Sequence, residues 1–238
     1  MTETLEQTST STEERAPRNT TRTNQKPQSR PTITKVLSLK SIHAQRVARR
    51  VSRKMSQACY TVQVHLPNIA GRHEELASSL GEFSKLLTDP LDEFDEAVTK
   101  EIERFEKLKS DNAIAENVDY SDPEQLQLGI TSPGMMRFST LLLKLDSLVS
   151  IIDTLWMSGV FDPNQRSKAN YEWQQRLLKV SNRVIALGGT TNKKLNDVTA
   201  NAPESELEGK DPAAESMPDP TEEDEDEDET EQSQKEVA

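Results

Sequence analysis

The alternation of apolar and polar positions predicts one short strand near the start of the chain. Residues 33–39 are rich in β-branched side chains and alternate in polarity, which is typical of a half-buried strand. Successive side chains of a strand point to opposite faces. The inner face is then expected to carry Ile33, Leu37 and Leu39, with Lys35 among them, and the outer face Thr34, Val36, Ser38 and Lys40.

A helix with one apolar and one cationic face is predicted directly after the strand. Ser41 is a suitable N-cap for a helix that begins near Ile42. Alanine, valine and methionine recur at helical spacing along one side. The other side carries Arg46, Arg49, Arg50, Arg53 and Lys54. Residues 58–66 fit either a strand or a continuation of this helix, because short apolar runs do not distinguish the two by periodicity.

The rest of the apolar pattern predicts helices. One stripe begins at Leu76, a new helix is expected to open at Pro90, and a polar stretch follows over residues 110–123. The strongest stripe runs from about residue 133 to 158, and the last from about 162 to the glycine pair at 188–189. The short break between these two predicts antiparallel packing as an αα-hairpin.

We therefore expect a mainly α-helical protein with a short N-terminal β-strand followed by a helical bundle. The bundle is expected to contain αα-hairpins. Residues 1–30 are predicted to be a disordered arm, basic from residue 15, and residues 191–238 a disordered acidic tail. Residues 31–190 are predicted to form one folded helical domain.

Charge is distributed very unevenly along the chain. The whole sequence has 29 Lys and Arg against 41 Asp and Glu, a net charge of −12. Residues 15–73 nevertheless hold thirteen bases and no acid, whereas residues 202–238 hold two bases and sixteen acids. An acid-free basic segment of this length favours a phosphate-binding surface. The alternatives are a solubilising arm or a membrane-surface helix, and the second is weak because the apolar side of the helix lacks Trp, Phe and Leu.

No catalytic, metal or cofactor site is predicted. The three soft ligands nearest in sequence, Cys59, His65 and His73, lack zinc spacing, and the glycine pair lacks the spacing of a phosphate loop. A single cysteine fits a reducing compartment, and neither a secretory signal nor a membrane span is indicated, so we expect a cytoplasmic protein.

The order of strand, cap and cationic helix suggests a mode of DNA recognition. Two protomers of a homodimer could pair their strands into a ribbon that fits the major groove. Thr34, Val36 and Ser38 would then face base edges, while the four arginines of the helix would bind phosphates. Lys35 and Lys40 belong to the same candidate DNA-binding set.

Several short motifs between residues 32 and 187 resemble a known family. They are Leu37-Ser38-Leu39, His43-Ala44-Gln45-Arg46, Ile130-Thr131-Ser132-Pro133, Leu145-Asp146-Ser147-Leu148, Asp153-Thr154-Leu155-Trp156-Met157-Ser158-Gly159, Arg166, Tyr171-Glu172-Trp173 and Leu177-Leu178. These motifs resemble the AcaB-like transcriptional regulators of conjugative plasmids and integrating conjugative elements. The resemblance implies a bacterial ribbon-helix-helix DNA-binding protein, associated with the nucleoid or a plasmid, that controls transfer or excision genes. Residues 31–190 would then be its helical DNA-binding and dimerisation domain, and the acidic tail lies outside the resemblance.

The sequence therefore predicts a sequence-specific, non-enzymatic DNA-binding regulator of conjugative or mobile-element genes. The alternative is a helical adaptor or assembly subunit of the conjugation machinery, recruited through protein contacts on the amphipathic helices. Binding of double-stranded DNA distinguishes the two.

Overall fold

The described part of the chain, residues 30–200 of a computed structural model, consists of two strands and five α-helices. Its elements are β1 (Ile33–Leu39), α1 (Ile42–Tyr60), a π-helical turn (Thr61–His65), α2 (Leu66–Ala70), α3 (Glu74–Asp111), β2 (Glu124–Ile130), α4 (Pro133–Met157) and α5 (Pro163–Ala200). The mainly α-helical class with a short strand near the N-terminus is confirmed. The predicted arm up to residue 29 and the tail from residue 201 lie outside the described residues.

The faces of β1 follow the predicted register with one exception. Leu37 and Leu39 are buried, and Thr34, Val36 and Ser38 are exposed. Ile33 was predicted to be on the buried side, but it is 60% exposed because it is the first residue of β1, at the end of the strand away from α1.

The basic helix α1 forms as predicted, and its cap is the predicted one. The Ser41 hydroxyl accepts a hydrogen bond from the Ala44 amide at 3.3 Å. The open choice for residues 58–66 is settled in favour of helix, because the chain continues through one π-helical turn into α2. A π-helical turn of this kind inserts one extra residue without ending the helix.

Two predicted helix boundaries are wrong. The helix predicted to open at Pro90 is part of α3, which runs without a break from Glu74 to Asp111. The apolar stripe continues across the proline, with Leu87, Leu91 and Phe94 all buried, and this burial offsets the roughly 3 kcal/mol that an internal proline costs.

The second wrong boundary is the glycine pair, since α5 continues past it to Ala200. Residues 191–200, which the sequence pattern assigned to the tail, are therefore helical. Thr191 and Leu195 on this last part of α5 are buried. Gly188 serves a close helix contact rather than a helix end, because a Cβ atom there would lie 2.6 Å from the Ala58 Cβ atom.

The partner of β1 is β2, a strand that the sequence pattern did not predict. The two strands are antiparallel, with Val36 opposite Gln127 and Leu39 opposite Glu124. We expected the ribbon to need one strand from each of two protomers, but both of its strands come from a single chain. Pairing within the chain is favoured because β2 offers Leu128 and Ile130 to the same buried layer as β1.

The two halves of the domain repeat one arrangement at an interval of 91 residues. Strand starts at Ile33 and Glu124, caps at Ser41 and Ser132, and helix starts at Ile42 and Pro133 all follow this interval. Both cap hydroxyls accept the amide three residues on, at 3.3 and 3.4 Å. Val36 and Gln127 are equivalent in the repeat and are also paired across the ribbon, so an approximate two-fold axis passes between them.

The long last helix of each half packs on the first helix of the other half. These two helices, α3 and α5, each have 38 residues. Helix α5 lies along α1 and α3 lies along α4, while α1 and α4 also contact each other beneath the ribbon. A single chain thus contains two strand-helix-helix units packed around one core.

Candidate nucleic-acid interface

The outer face of the β1–β2 ribbon is exposed and carries no charged side chain. Its residues are Thr34, Val36 and Ser38 from β1 and Gln125, Gln127 and Gly129 from β2. The Gln125 amide nitrogen donates to the Ser38 hydroxyl at 3.2 Å, which holds both side chains in place across the ribbon. The sequence reasoning missed the two glutamines because they lie in the unpredicted strand.

Lys35 and Lys40 are set apart from this outer face. The Lys35 amine is on the opposite side of the ribbon and donates to the Ser139 hydroxyl at 3.0 Å. Its position on the inner face agrees with the predicted register. The exposed Lys40 follows the end of β1, where its backbone amide donates to Asp146.

A buried carboxylate fixes the junction between β1 and α1. Asp146 of α4 accepts the Lys40 amide at 3.0 Å and both the amide and the hydroxyl of Ser41 at 2.7 Å. A carboxylate at a helix N-terminus also interacts favourably with the helix dipole. The Gln45 side chain donates to the Leu39 and Asp122 carbonyls at 3.0 and 3.3 Å, so it ties the same junction to the segment before β2.

The four predicted phosphate-binding arginines are all exposed on α1. Arg49 forms an ion pair with Glu124 of β2 at 2.8 Å, and its hydrogen bond to that carboxylate raises the pKa of the guanidinium. Arg46 and Arg53 have no hydrogen-bond or ion-pair partner within residues 30–200. The Arg49 contact places the cationic side of α1 next to the end of the ribbon where Leu39 pairs with Glu124.

The equivalent positions in the other half are also basic, but their charge is compensated. Arg137 and Lys144 of α4 correspond to Arg46 and Arg53 in the 91-residue repeat. Arg137 pairs with Asp92 at 2.8 Å and Lys144 with Asp95 at 2.6 Å, both carboxylates belonging to α3. The charge of the two halves is therefore asymmetric although their backbones are alike.

The metal-ligating and thiol groups of the described residues bear on the predicted absence of such sites. Within residues 30–200, no group of three His, Cys, Asp or Glu side chains is arranged to hold a metal ion. Cys59 is fully buried, and desolvation raises the pKa of its thiol to about 12, so it is an inert core residue as predicted. Among the described helices, none combines the length and the apolar character that a membrane crossing requires.

Comparison with known proteins identifies the family. No family model and no curated protein matches the sequence. The crystal structure of selenomethionine-containing AcaB from uropathogenic E. coli superposes with a TM-score of 0.66 at 30% sequence identity. The match covers 72% of this chain and 86% of that one. The chain belongs to the AcaB family. The resemblance predicted from the short motifs is confirmed.

The AcaB-like motifs are mainly structural in this chain. Asp153 is buried and accepts hydrogen bonds from the Tyr120 hydroxyl at 2.7 Å, the Arg166 Nε at 2.6 Å and the Asn170 amide at 3.1 Å. The Arg166 guanidinium also lies over the Trp156 ring, 4.1 Å from its centroid. Burial, followed by the contact with Asp153, raises the pKa of the Tyr120 hydroxyl, which keeps it neutral.

Two other motif positions of the AcaB family have structural roles of their own. Asp146, in the Leu-Asp-Ser-Leu motif, holds the start of α1. Gly159, at the end of the Asp-Thr-Leu-Trp motif, has a φ of +76° in the turn between α4 and α5, a conformation that favours glycine. Most of the motif residues therefore specify the scaffold. Ser38 and Arg46 are exceptions, since they lie on the exposed ribbon face and on the basic face of α1.

Proposed function

We propose that this chain is a sequence-specific DNA-binding transcriptional regulator of conjugative transfer or mobile-element genes. The observation that carries the proposal is the ribbon, whose exposed outer face is made of uncharged, hydrogen-bonding side chains beside a cationic helix. Membership of the AcaB family supports the proposal, since the resemblance implies regulators of this kind.

The outer face has the chemistry that base recognition requires. A two-stranded ribbon fits the major groove of B-DNA, where glutamine can form paired hydrogen bonds with adenine and serine or threonine can bond to several bases. Gln125 and Gln127 lie opposite Ser38 and Val36, so hydrogen-bonding and apolar groups alternate over a short surface. Val36 is 60% exposed and can contact a thymine methyl group.

The arginines of α1 would supply contacts to phosphates. Such contacts hold a protein on the duplex without reading its sequence. Arg46 and Arg53 have the greatest capacity for them, whereas Arg49 would have to exchange its bond to Glu124 for one to a phosphate. The basic arm before residue 30 adds further positive charge in sequence.

A complete ribbon within one chain changes what a dimer contributes. The homodimer stays a prediction, but it is not needed to build the base-reading surface. Under this proposal a monomer covers one site in the major groove, and a dimer would bring two such ribbons to two sites on one duplex.

The experiment is selection of binding sequences from a random duplex pool by the full chain at about physiological salt, followed by titration of the selected DNA. We expect one enriched sequence. The variant Q125A/Q127A should shift base preference with little loss of non-specific affinity, and R46A/R53A should weaken binding to every sequence. The salt slope should fall by about 0.9 for each phosphate that the variant no longer binds.

The matched control is K100A/K107A, which removes two exposed lysines from α3, away from the ribbon. We expect it to bind like the parent. If no sequence is enriched, or if R46A/R53A binds as tightly as the control variant, the DNA-binding proposal is wrong and the adaptor alternative is favoured.

A further inference from the structure

The middle arginine on the cationic side of α1 is held by a carboxylate of the ribbon. Arg46, Arg49 and Arg53 occur at spacings of three and four residues, so they lie along one side of the helix about one turn apart. All three are exposed. Within residues 30–200, Arg46 and Arg53 have no hydrogen-bond or ion-pair partner, whereas Arg49 is bound to Glu124 of β2.

Glu124 binds Arg49 through both of its carboxylate oxygens. Arg49 Nε donates to Oε1 at 3.1 Å, and Arg49 Nη2 lies 2.8 Å from Oε2. An arginine fork binds phosphate by the same two-point arrangement. Carboxylate and phosphate are therefore alternative ligands for this edge of the guanidinium.

Release of Arg49 would leave part of the Glu124 carboxylate without a polar partner. The Oε2 atom has no solvent access, and Arg49 Nη2 is the polar group in contact with it among residues 30–200. Because Glu124 directly precedes Gln125 in β2, its side chain lies on the opposite side of the strand from the outer face of the ribbon. A buried charged oxygen that loses its partner is costly, so DNA must offset this cost whenever a phosphate takes Arg49.

This ion pair exists at one end of the ribbon. In the 91-residue repeat, Ile33 corresponds to Glu124 and Thr140 corresponds to Arg49, so the equivalent positions carry no charge. Asp122 also attracts the Arg49 guanidinium, but its effect is weaker than that of Glu124. The contact is therefore a feature of these particular residues and not of the repeated backbone.

We propose that Glu124 competes with phosphate groups for Arg49 and thereby lowers the affinity of the chain for DNA. The effect on DNA rests on the proposed function. The free chain would offer Arg46 and Arg53 to phosphates while Glu124 holds Arg49 back. A substitution that removes the carboxylate charge would then make a third arginine available without adding a base.

The test is a cycle of four full-length chains: the parent, E124Q, R49Q and E124Q/R49Q. Each is titrated with a short duplex of unselected sequence at about 50 mM salt. E124Q should bind about three- to tenfold more tightly, with a salt slope that is steeper by up to about 0.9. In the R49Q background, E124Q should change affinity by less than about twofold, since only the long-range effect of one charge remains.

The ion pair of Arg104 and Glu101 on α3 supplies the matched control. Its side chains are 66% and 21% exposed, close to the 61% and 27% of Arg49 and Glu124. E101Q removes the same charge from a comparable pair and should leave affinity within about twofold of the parent. D122N removes the weaker attraction on Arg49 and should tighten binding less than E124Q does.

Three results would each overturn the proposal. Equal affinities of the parent and E124Q would show that the carboxylate does not compete. A gain from E124Q of the same size with and without Arg49 would come from net charge alone. A loss from R49Q as large as the loss from R46Q would show that Arg49 is already available to phosphates in the parent.

The same cycle with inorganic polyphosphate as the ligand separates this proposal from the proposed function. Tighter binding of polyphosphate by E124Q, in a chain that binds no duplex, would refute the proposed function and leave the competition intact. An unchanged affinity of E124Q in a chain that binds duplex would refute the competition while the proposed function stands. Binding of neither ligand would overturn both.

Discussion

Replacing Gly188 by alanine should destabilise the domain although alanine is the better helix former. Helices α1 and α5 approach so closely there that the new Cβ atom would lie 2.6 Å from the Ala58 Cβ and 2.7 Å from its Cα. One of these atoms belongs to the backbone, so a change of rotamer cannot relieve the clash. The helices would have to separate by about 1 Å, and overpacking of this kind costs about 1–3 kcal/mol.

Gly189→Ala is the matched control, because the added Cβ atom meets nothing within 4 Å at the next position of the same helix. It should gain the helix propensity of alanine, about 0.8–1 kcal/mol, without a steric cost. Gly188→Ala gains the same helix propensity but loses up to about 3 kcal/mol through overpacking. Its net loss of stability is therefore about 2 kcal/mol at the upper end. The two variants should then differ by up to about 3 kcal/mol in the free energy of unfolding.

Urea denaturation followed by circular dichroism measures this difference directly. If the two glycine variants are equally stable, or if Gly188→Ala is the more stable, the close approach of α1 and α5 does not exist as described.

Two further changes test other parts of the scaffold. Asp146→Ala should lower the free energy of unfolding by about 2–3 kcal/mol, because the part-buried amide of Lys40 and the buried amide of Ser41 lose their carboxylate acceptor. The exposed neighbour variant Ser147→Ala should stay within about 0.5 kcal/mol of the parent in the same urea assay. Stability should also fall as the pH rises from about 9 toward 12, since the pKa of the Cys59 thiol is raised to about 12 in the folded chain and lies near 8.5 when unfolded. Below the pKa of the unfolded chain's thiol, the neutral thiol contributes fully to the stability of the folded chain. Above that pKa, the free energy of unfolding falls by up to about 1.4 kcal/mol per pH unit. Cys59→Ala should therefore flatten the decline between pH 9 and 10, and an unchanged slope would contradict the burial of the thiol.

Local sequence pattern was sufficient where one chain segment determines its own structure. The exposed and buried faces of β1, the serine cap of α1 and the cationic side of α1 all follow from the order of residues over one or two turns. The two helices α4 and α5 and the break at Gly159 follow from two long apolar stripes. Their predicted packing on each other as an αα-hairpin is not the main contact, because α5 packs chiefly along α1 and α4 chiefly against α3.

The local sequence pattern failed where residues that are distant in sequence determine the structure. Strand β2 contains Glu124, two glutamines and Gly129, residues with low strand propensity, and it is stabilised by pairing with a strand 91 residues earlier. Local signals for helix ends at Pro90 and Gly188 were overridden because buried side chains continue on both sides of each position. The two glutamines of the candidate site were missed because they lie in β2, which the sequence pattern did not predict.

The two halves repeat one backbone arrangement but carry unequal charge, and this difference affects the orientation in which a single ribbon would bind DNA. The approximate two-fold axis that passes between Val36 and Gln127 would by itself allow the ribbon to enter the groove in either direction. The outer residues already differ between the halves, since Thr34 corresponds to Gln125 and Ser38 to Gly129. Charge distinguishes the directions more strongly, because Asp92 and Asp95 compensate Arg137 and Lys144 of α4, whereas the equivalent Arg46 and Arg53 of α1 have no such partner within residues 30–200. Under the proposed function, α1 would lie against phosphates on one side only, so a chain of this kind would read an asymmetric site in one orientation rather than a palindrome.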